Sequence, residues 1–351
     1  MFTKVLDALV GPQGFDQYAE LVLPTWSSTD VRGRIVTADR TTPSSVTLTI
    51  KPNGNWTGFR AGQHVQVTVE IDGVRHTRCY SMANSAHDAD VIELTVKAHP
   101  HGTASNFLVD HAKPGMVVGL TPAQGEFTLP DQRPQRMLLI SGGSGVTPVM
   151  SMLRTLCDEG YDGQVTFAHY ALSAGDHIYR DELADLAAAH RNVRIVRIYT
   201  EAPGTGELDG FFTEQQLDAI DPHWADAEVF VCGPAPLMNS VRDHYAKAGR
   251  ADQHHDEAFT LDVMVAESTG GTLTFTTACA TTVDDGRTLL EQAEAAGLTP
   301  EYGCRMGICH TCPRALSKGT VRNVVSGELT DAGTEVRICV SAPVGDVSID
   351  L

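Results

Sequence analysis

Four cysteines are spaced to do chemistry. Cys304, Cys309 and Cys312 follow a C-x4-C-x2-C pattern, and Cys339 comes after 26 intervening residues. Thiolates at this spacing ligate a [2Fe–2S] cluster. One tight loop must turn three thiolates inward while its backbone N–H groups face the cluster sulfurs. Gly303 and Gly307 give such a loop the freedom it needs. Cys339, expected on a strand over Val336–Val340, closes the cage. A structural zinc site competes with this reading, but such sites more often pair two C-x2-C arms, and one arm is present here. His310 lies between two ligands, and with four cysteines already filling the site it reads as a solvent-facing loop residue.

Other motifs open at strand ends. The apolar run Met137–Ile140 leads into Ser141-Gly-Gly-Ser-Gly-Val-Thr-Pro148 and then a helical pattern. A strand, a Gly-rich turn and a helix N-terminus let a pyrophosphate approach the backbone. The sequence is not G-x-G-x-x-G, and a tight turn without a ligand stays an alternative. Val229-Phe-Val-Cys232-Gly233-Pro234 ends a second apolar strand. In open α/β sheets ligands bind beyond the carboxyl ends of the strands. Both motifs therefore open on one edge, and Cys232 reads as functional rather than as core. Arg78-Cys-Tyr80-Ser81 offers a cation for a phosphate, a ring for stacking and a hydroxyl. Gly102-Thr-Ala-Ser105 begins another helical stretch, again an anion-friendly start. Cys157 and Cys279 read as small packing or surface residues.

The elements that must position these groups fall into zones. The 351 residues suggest two or three domains. Residues 1–31 form a leader in which Phe2, Val5, Leu6, Leu9 and Val10 share one helical face. Residues 32–130 are strand-like, with Asp72-Gly73 as a hairpin turn, and suggest a small antiparallel barrel. Residues 131–250 alternate short apolar strands with helices, the pattern of a parallel sheet covered on both faces. Residues 251–258 are polar and aperiodic and read as a linker. Residues 259–351 return to strands at Leu261–Val265 and Thr272–Thr277, then a helix, then the cysteine cluster.

Composition excludes other classes. There are 26 Lys+Arg against 44 Asp+Glu, a net charge of −18. That opposes nucleic-acid binding, which needs cationic surface. Eight cysteines in the whole chain are too sparse for a disulfide scaffold. No run is long and apolar enough for a membrane span. Asp7 interrupts the apolar start, so no signal peptide is expected, and the expected location is cytoplasmic.

The order barrel, Arg-x-Tyr-Ser, Gly-x-x-Ser, Gly-Gly-Ser-Gly and Cys-Gly-Pro resembles the ferredoxin–NADP reductase superfamily over residues 32–250. Residues 259–351 resemble plant-type ferredoxins. The whole resembles fused flavin/iron–sulfur reductases that feed oxygenases. It is similar above all to the reductase partners of bacterial fatty-acid desaturases and alkane hydroxylases. The segments Tyr302–Cys312, Gly319–Leu329 and Cys339–Asp346 and the leader's Leu23-Pro-x-Trp26 carry that likeness.

The resemblance implies a multidomain fold: an antiparallel β-barrel, an α/β parallel-sheet nucleotide domain and an α+β, β-grasp ferredoxin domain. It implies FAD rather than FMN, a [2Fe–2S] cluster and NAD(P)H. Arg78, Tyr80 and Ser81 would hold the flavin, with Ser81 near its reactive nitrogen. Gly102 and Ser105 would hold its pyrophosphate. Gly142, Gly143, Gly145 and Thr147, with Gly233 and Pro234, would hold the dinucleotide. Cys232 would sit by the nicotinamide, and Glu257 near the flavin. The implied partner is an oxygenase, hydroxylase or membrane desaturase, with membrane association only through that partner.

One stretch departs from NADPH-specific relatives. Where they carry an arginine for the 2′-phosphate, this chain reads Ile198-Tyr-Thr-Glu201. Ser173 and Arg180 are the possible substitutes, and the reading leans to NADH. A hydride carries two electrons and a [2Fe–2S] cluster accepts one, so a flavin is needed between them. Residues 259–351 carry 12 acidic and 6 basic side chains, which suggests docking on a basic partner. A redox-sensing protein and a zinc-stapled nucleotide binder are the competing readings.

Overall fold

The computed structural model describes residues 23–88, 90–99, 102–258, 270–302, 307, 311–324 and 327–351. The leader's helical face, the strand expected at Leu261–Val265, and Cys304, Cys309 and His310 lie outside these residues. The chain divides into two compact units, Met1–Ala258 and Phe259–Leu351.

The first sheet contains β1 (Val31–Thr42), β2 (Ser45–Pro52), β3 (His64–Ile71), β4 (Val74–Ser81), β5 (Ile92–Lys97) and β6 (Val117–Leu120), in the order β4-β3-β6-β1-β2-β5. All its pairings are antiparallel. Met82, just after β4, bridges to Leu94 on β5 and draws the sheet edges together as a barrel. Alternating Val, Ile and Leu side chains fill its interior, including Ile35, Leu48, Ile50 and Leu94. Asp72 and Gly73, at φ 51° and 78°, make the left-handed two-residue turn expected between β3 and β4.

The second sheet contains β7 (Arg136–Gly142), β8 (Gln164–Ala171), β9 (Val193–Tyr199), β10 (Leu208–Asp209), β11 (Glu228–Cys232) and β12 (His254–Glu257). Its order is β10-β9-β8-β7-β11-β12, parallel throughout. Met137–Ile140 on β7 are fully buried, as a strand covered on both faces must be. The helices Val146–Asp158, Arg180–Ala189 and Ala235–Lys247 supply much of that cover.

The stretch 251–258 is not a linker. Residues His254–Glu257 form β12, paired with β11 from Val229↔His254 to Cys232↔Glu257. An edge strand has one partner and tolerates polar side chains, so hydrophobic patterning gave no signal for it. The nucleotide sheet thus extends to residue 257 rather than ending near 250.

Barrel and parallel sheet are joined through Arg154 on the helix Val146–Asp158. Its guanidinium donates to Glu93 on β5 at 2.6 Å, to both carboxylate oxygens of Glu182 at 2.7 Å, and to the Ala83 carbonyl. It also lies 4.9 Å from the Tyr179 ring centroid.

The second unit contains β13 (Thr272–Phe275), β14 (Ala280–Val283), β15 (Pro313–Asn323), β16 (Leu329–Asp331), β17 (Glu335–Arg337) and β18 (Ser341–Ile349). Its order is β14-β13-β18-β15-β16, with β17 paired to β15. The helix Leu289–Ala295 begins with a reciprocal cap between Thr288 and Glu291. Cys339 does not lie on a strand: β17 ends at Arg337, and Cys339 sits in the turn before β18.

Candidate functional site

The Gly-rich turn and the Cys-Gly-Pro turn are packed on each other. A side chain on Gly145 would overlap the carbonyl of Cys232, and one on Gly142 would come within 2.7 Å of Pro234. One on Gly233 would come within 2.9 Å of the Gly142 nitrogen. These glycines are required by close backbone approach. Gly143 differs: its φ of +55° is left-handed and favours glycine on conformational grounds. The helix Val146–Asp158 starts without a side-chain cap, so its leading N–H groups suit an anion. Thr147 is turned inward, donating to the Ser144 carbonyl at 3.3 Å. It shapes the turn from within. Lys97, at the end of β5, puts its ammonium 4.0 Å from where a Gly143 side chain would begin. Sequence reading missed this cation, and its place on a barrel strand gave no hint of the contact.

Arg78 and Tyr80 alternate with Cys79 and Ser81 along β4. The Arg78 guanidinium donates to the Thr77 carbonyl at 2.7 Å and has no carboxylate partner among the described residues. Such a half-buried cation fits a phosphate. Tyr80 is half-buried against the barrel core. Burial pushes its phenol up to about 12, with Arg78 partly opposing, so its O–H stays a donor. Gly102 caps the helix Thr103–His111 with no side-chain bond. Ser105 donates to the Gly102 carbonyl at 3.3 Å, tightening that start. The flavin and dinucleotide groups implied by the sequence therefore find fitting donors.

Three expected reacting residues come together from three strands. Cys232 ends β11, and Glu257 is its register partner at the end of β12. Ser81 ends β4 and donates to Glu257 Oε2 at 3.4 Å. Glu257 Oε1 lies 3.2 Å from Nδ1 of His64. His64 opens β3 and is the register partner of Ser81. Sequence reading missed His64, since it stands 193 residues from Glu257 in no recognisable spacing. Gly125, at φ +108°, lets the chain pass beside both side chains. Cys232 is fully buried. Burial first, then the charges of Glu257 and Asp256, push its thiol well above the usual range. A buried thiol held neutral in this way is not a thiolate nucleophile.

In the second unit, Cys312 and Cys339 are buried in the core. The Ile338 N–H donates to the Cys312 carbonyl at 3.3 Å, which draws the two cysteine segments together. Gly307, at φ +75°, lies so close to Val340 that a side chain there would come within 2.9 Å of it. Arg337 donates to the Gly307 carbonyl. Gly307 is thus held against the turn that carries Cys339.

Three domain families match in chain order. The oxidoreductase FAD-binding domain matches residues 40–129, and the oxidoreductase NAD-binding domain matches residues 139–243. The 2Fe-2S iron-sulfur cluster binding domain matches residues 276–344. The chain is 37% identical to a NADPH oxidoreductase of Mycobacterium tuberculosis, over 99% of this chain and 91% of that one. It is 33% identical to the glycine betaine monooxygenase reductase subunit of Pseudomonas aeruginosa, over 83% and 87%. It shares its fold with phthalate dioxygenase reductase at a TM-score of 0.64 and 24% identity, over 91% and 97%.

Proposed function

Because this chain belongs to the NAD(P)H-dependent flavin/[2Fe–2S] reductases of multicomponent oxygenases, we propose which of its residues carry each part of the reaction. The protein passes electrons from NAD(P)H through FAD to a [2Fe–2S] cluster and on to an oxygenase partner. FAD supplies the conversion of a two-electron donor into one-electron steps.

The observation that carries the assignment is the meeting of Ser81, Glu257 and Cys232 at three strand ends. Arg78 binds flavin phosphate with a guanidinium that has no carboxylate partner among the described residues. Tyr80 orients the ring system, and Gly102 with the helix start behind it takes the pyrophosphate. Gly142, Gly143 and Gly145 hold the dinucleotide pyrophosphate on backbone N–H groups, with Lys97 as counter-charge. Thr147 fixes the turn, and Gly233 and Pro234 hold the facing turn against it. Cys232 keeps water from the nicotinamide with a neutral thiol. Ser81 and Glu257 take up the proton that remains once the electrons have left. Cys304, Cys309, Cys312 and Cys339 ligate the cluster.

The dinucleotide we assign is NADH. Both candidates for holding a 2′-phosphate are engaged: Arg180 pairs with Asp181 at 2.8 Å, and Ser173 donates to Asp176 at 2.7 Å. The relative named for NADPH points the other way, so the preference is a direct comparison to make. The acidic residues 259–351 meet a basic face of the oxygenase, and a hydroxylase or membrane desaturase is the finer form of that partner. Among the described residues no helix is long and apolar enough to cross a membrane. A membrane desaturase as partner would bring this chain to a membrane surface.

Glu257→Gln tests the site. Turnover with a one-electron acceptor should fall about 100-fold while FAD stays bound. Unchanged turnover would remove Glu257 from the site.

A further inference from the structure

NAD(P)H oxidised by one-electron acceptors yields NAD(P)+, two electrons and one proton. The electrons go on to the oxygenase, and the proton must be taken by a base at the hydride site. Glu257 is that base in the reading above, and the inference drawn here rests on it. A base held by one weak contact would be a poor acceptor, so its other contacts matter.

The Glu257 carboxylate is held at both oxygens, by Ser81 at Oε2 (3.4 Å) and His64 at Oε1 (3.2 Å). His64 is 5% exposed. Its Nε2 is buried with no hydrogen-bond partner, which is unusual for a buried polar atom. The tautomer accounts for it. An ionised carboxylate can only accept, so Nδ1 carries the ring proton and Nε2 is left as a bare acceptor. A charged ring, or the other tautomer, would bury an unsatisfied N–H instead, which costs more. The backbone makes the placement firm. His64 N–H donates to the Gln124 carbonyl, and Gln124 N–H donates to the His64 carbonyl, each at 2.9 Å.

We propose that His64 is a positioning residue for the proton step: its Nδ1–H anchors Glu257 Oε1, so that Oε2 faces Ser81 as an ionised acceptor. With the flavin bound, the bond that breaks would be the N–H at its reactive nitrogen: that proton would pass to Ser81 Oγ as the Ser81 O–H proton passes to Glu257 Oε2. One O–H bond forms at Glu257, and the Ser81 hydroxyl is restored.

Two independent readouts test this. The first is nitrogen-15 NMR of histidine-labelled holoenzyme, with His64 assigned from the His64→Asn spectrum. The expected ring is neutral and protonated at Nδ1; a ring protonated at Nε2 with a bare Nδ1 would overturn the proposal. The second is a variant set. His64→Phe should lower kcat about tenfold with little change in KM for NAD(P)H. His64→Asn can supply an N–H near the Nδ1 position and should restore most of the rate. In a Glu257→Gln background, His64→Phe should have no further effect. Equal losses in both backgrounds, or an Asn variant as slow as Phe, would overturn it. If Glu257→Gln slows turnover but His64→Phe does not, this inference alone fails. If Glu257→Gln itself is normal, the site assignment fails first.

Discussion

Cys232 and Glu257 are register partners on adjacent parallel strands, and burial first, then the charge of that carboxylate, holds the thiol in its neutral form. Alkylation requires a thiolate. Iodoacetamide on the native protein at mildly alkaline pH should therefore spare Cys232 while labelling the exposed Cys279. Peptide mass spectrometry reads both sites. Equal labelling would mean that Cys232 is neither buried nor neutral.

The Gly-rich turn and the Cys-Gly-Pro turn touch through bare backbone. In Gly145→Ala the new methyl overlaps the Cys232 carbonyl, and backbone cannot rotate away as a side-chain tip can. We expect a loss of about 1–3 kcal/mol in unfolding free energy and weaker NAD(P)H binding. Gly204→Ala makes a poor control because its φ is +78°, whereas Gly54 has open space around it. Gly54→Ala should be near neutral. Denaturant titration and nucleotide binding measure both effects.

A pair of buried histidines makes stability depend on pH. His177 packs on His169 with centroids 4.6 Å apart. Burial, then Arg197 and Arg180, depress the His177 ring to about 4. His169 is depressed by burial, His177 and Lys97. In the unfolded chain each titrates near its ordinary value, so between about 6.5 and 4 the unfolded state binds more protons. Stability is therefore full above about 6.5 and falls as pH drops toward 4. His177 alone should contribute a loss of about 3 kcal/mol across that window. Thermal unfolding at pH 7 and pH 4.5 should show a steep drop that is shallower in His177→Gln. An equal drop in the variant would locate the sensitivity elsewhere.

Cofactor choice follows from which cations are already paired. With Arg180 and Ser173 engaged, and Arg197 held by Glu207 at 2.5 Å, a 2′-phosphate meets no spare charge at these positions. Steady-state kinetics should give kcat/KM for NADH at least about tenfold above NADPH, a difference of roughly 1.4 kcal/mol. The reverse ratio would require one of those pairs to open for the ligand.

The barrel, the parallel sheet and the ferredoxin unit could be read from the sequence because their strands alternate or run apolar. Ile35, Leu48 and Ile50 in the barrel and Met137–Ile140 in the sheet are such positions. The close-packed turns at Gly145 and Cys232 could be read because tight strand-to-helix turns leave glycine and strand-end signatures. β12 could not: an edge strand of His, His, Asp and Glu carries no hydrophobic period, although it delivers Glu257 to Ser81. His64, Lys97 and Arg154 were also hidden. Their partners lie on elements far away in sequence, and long-range contacts between single polar side chains leave no local pattern.

The central claim is a linear relay in which the cluster stands between the flavin and the partner. Cys309→Ser tests it most directly, by anaerobic stopped-flow reduction with NADH followed by cytochrome c reduction. Flavin bleaching should proceed at the wild-type rate, with the iron–sulfur absorption gone and cytochrome c reduction lost. Wild-type cytochrome c reduction in this variant would contradict the relay.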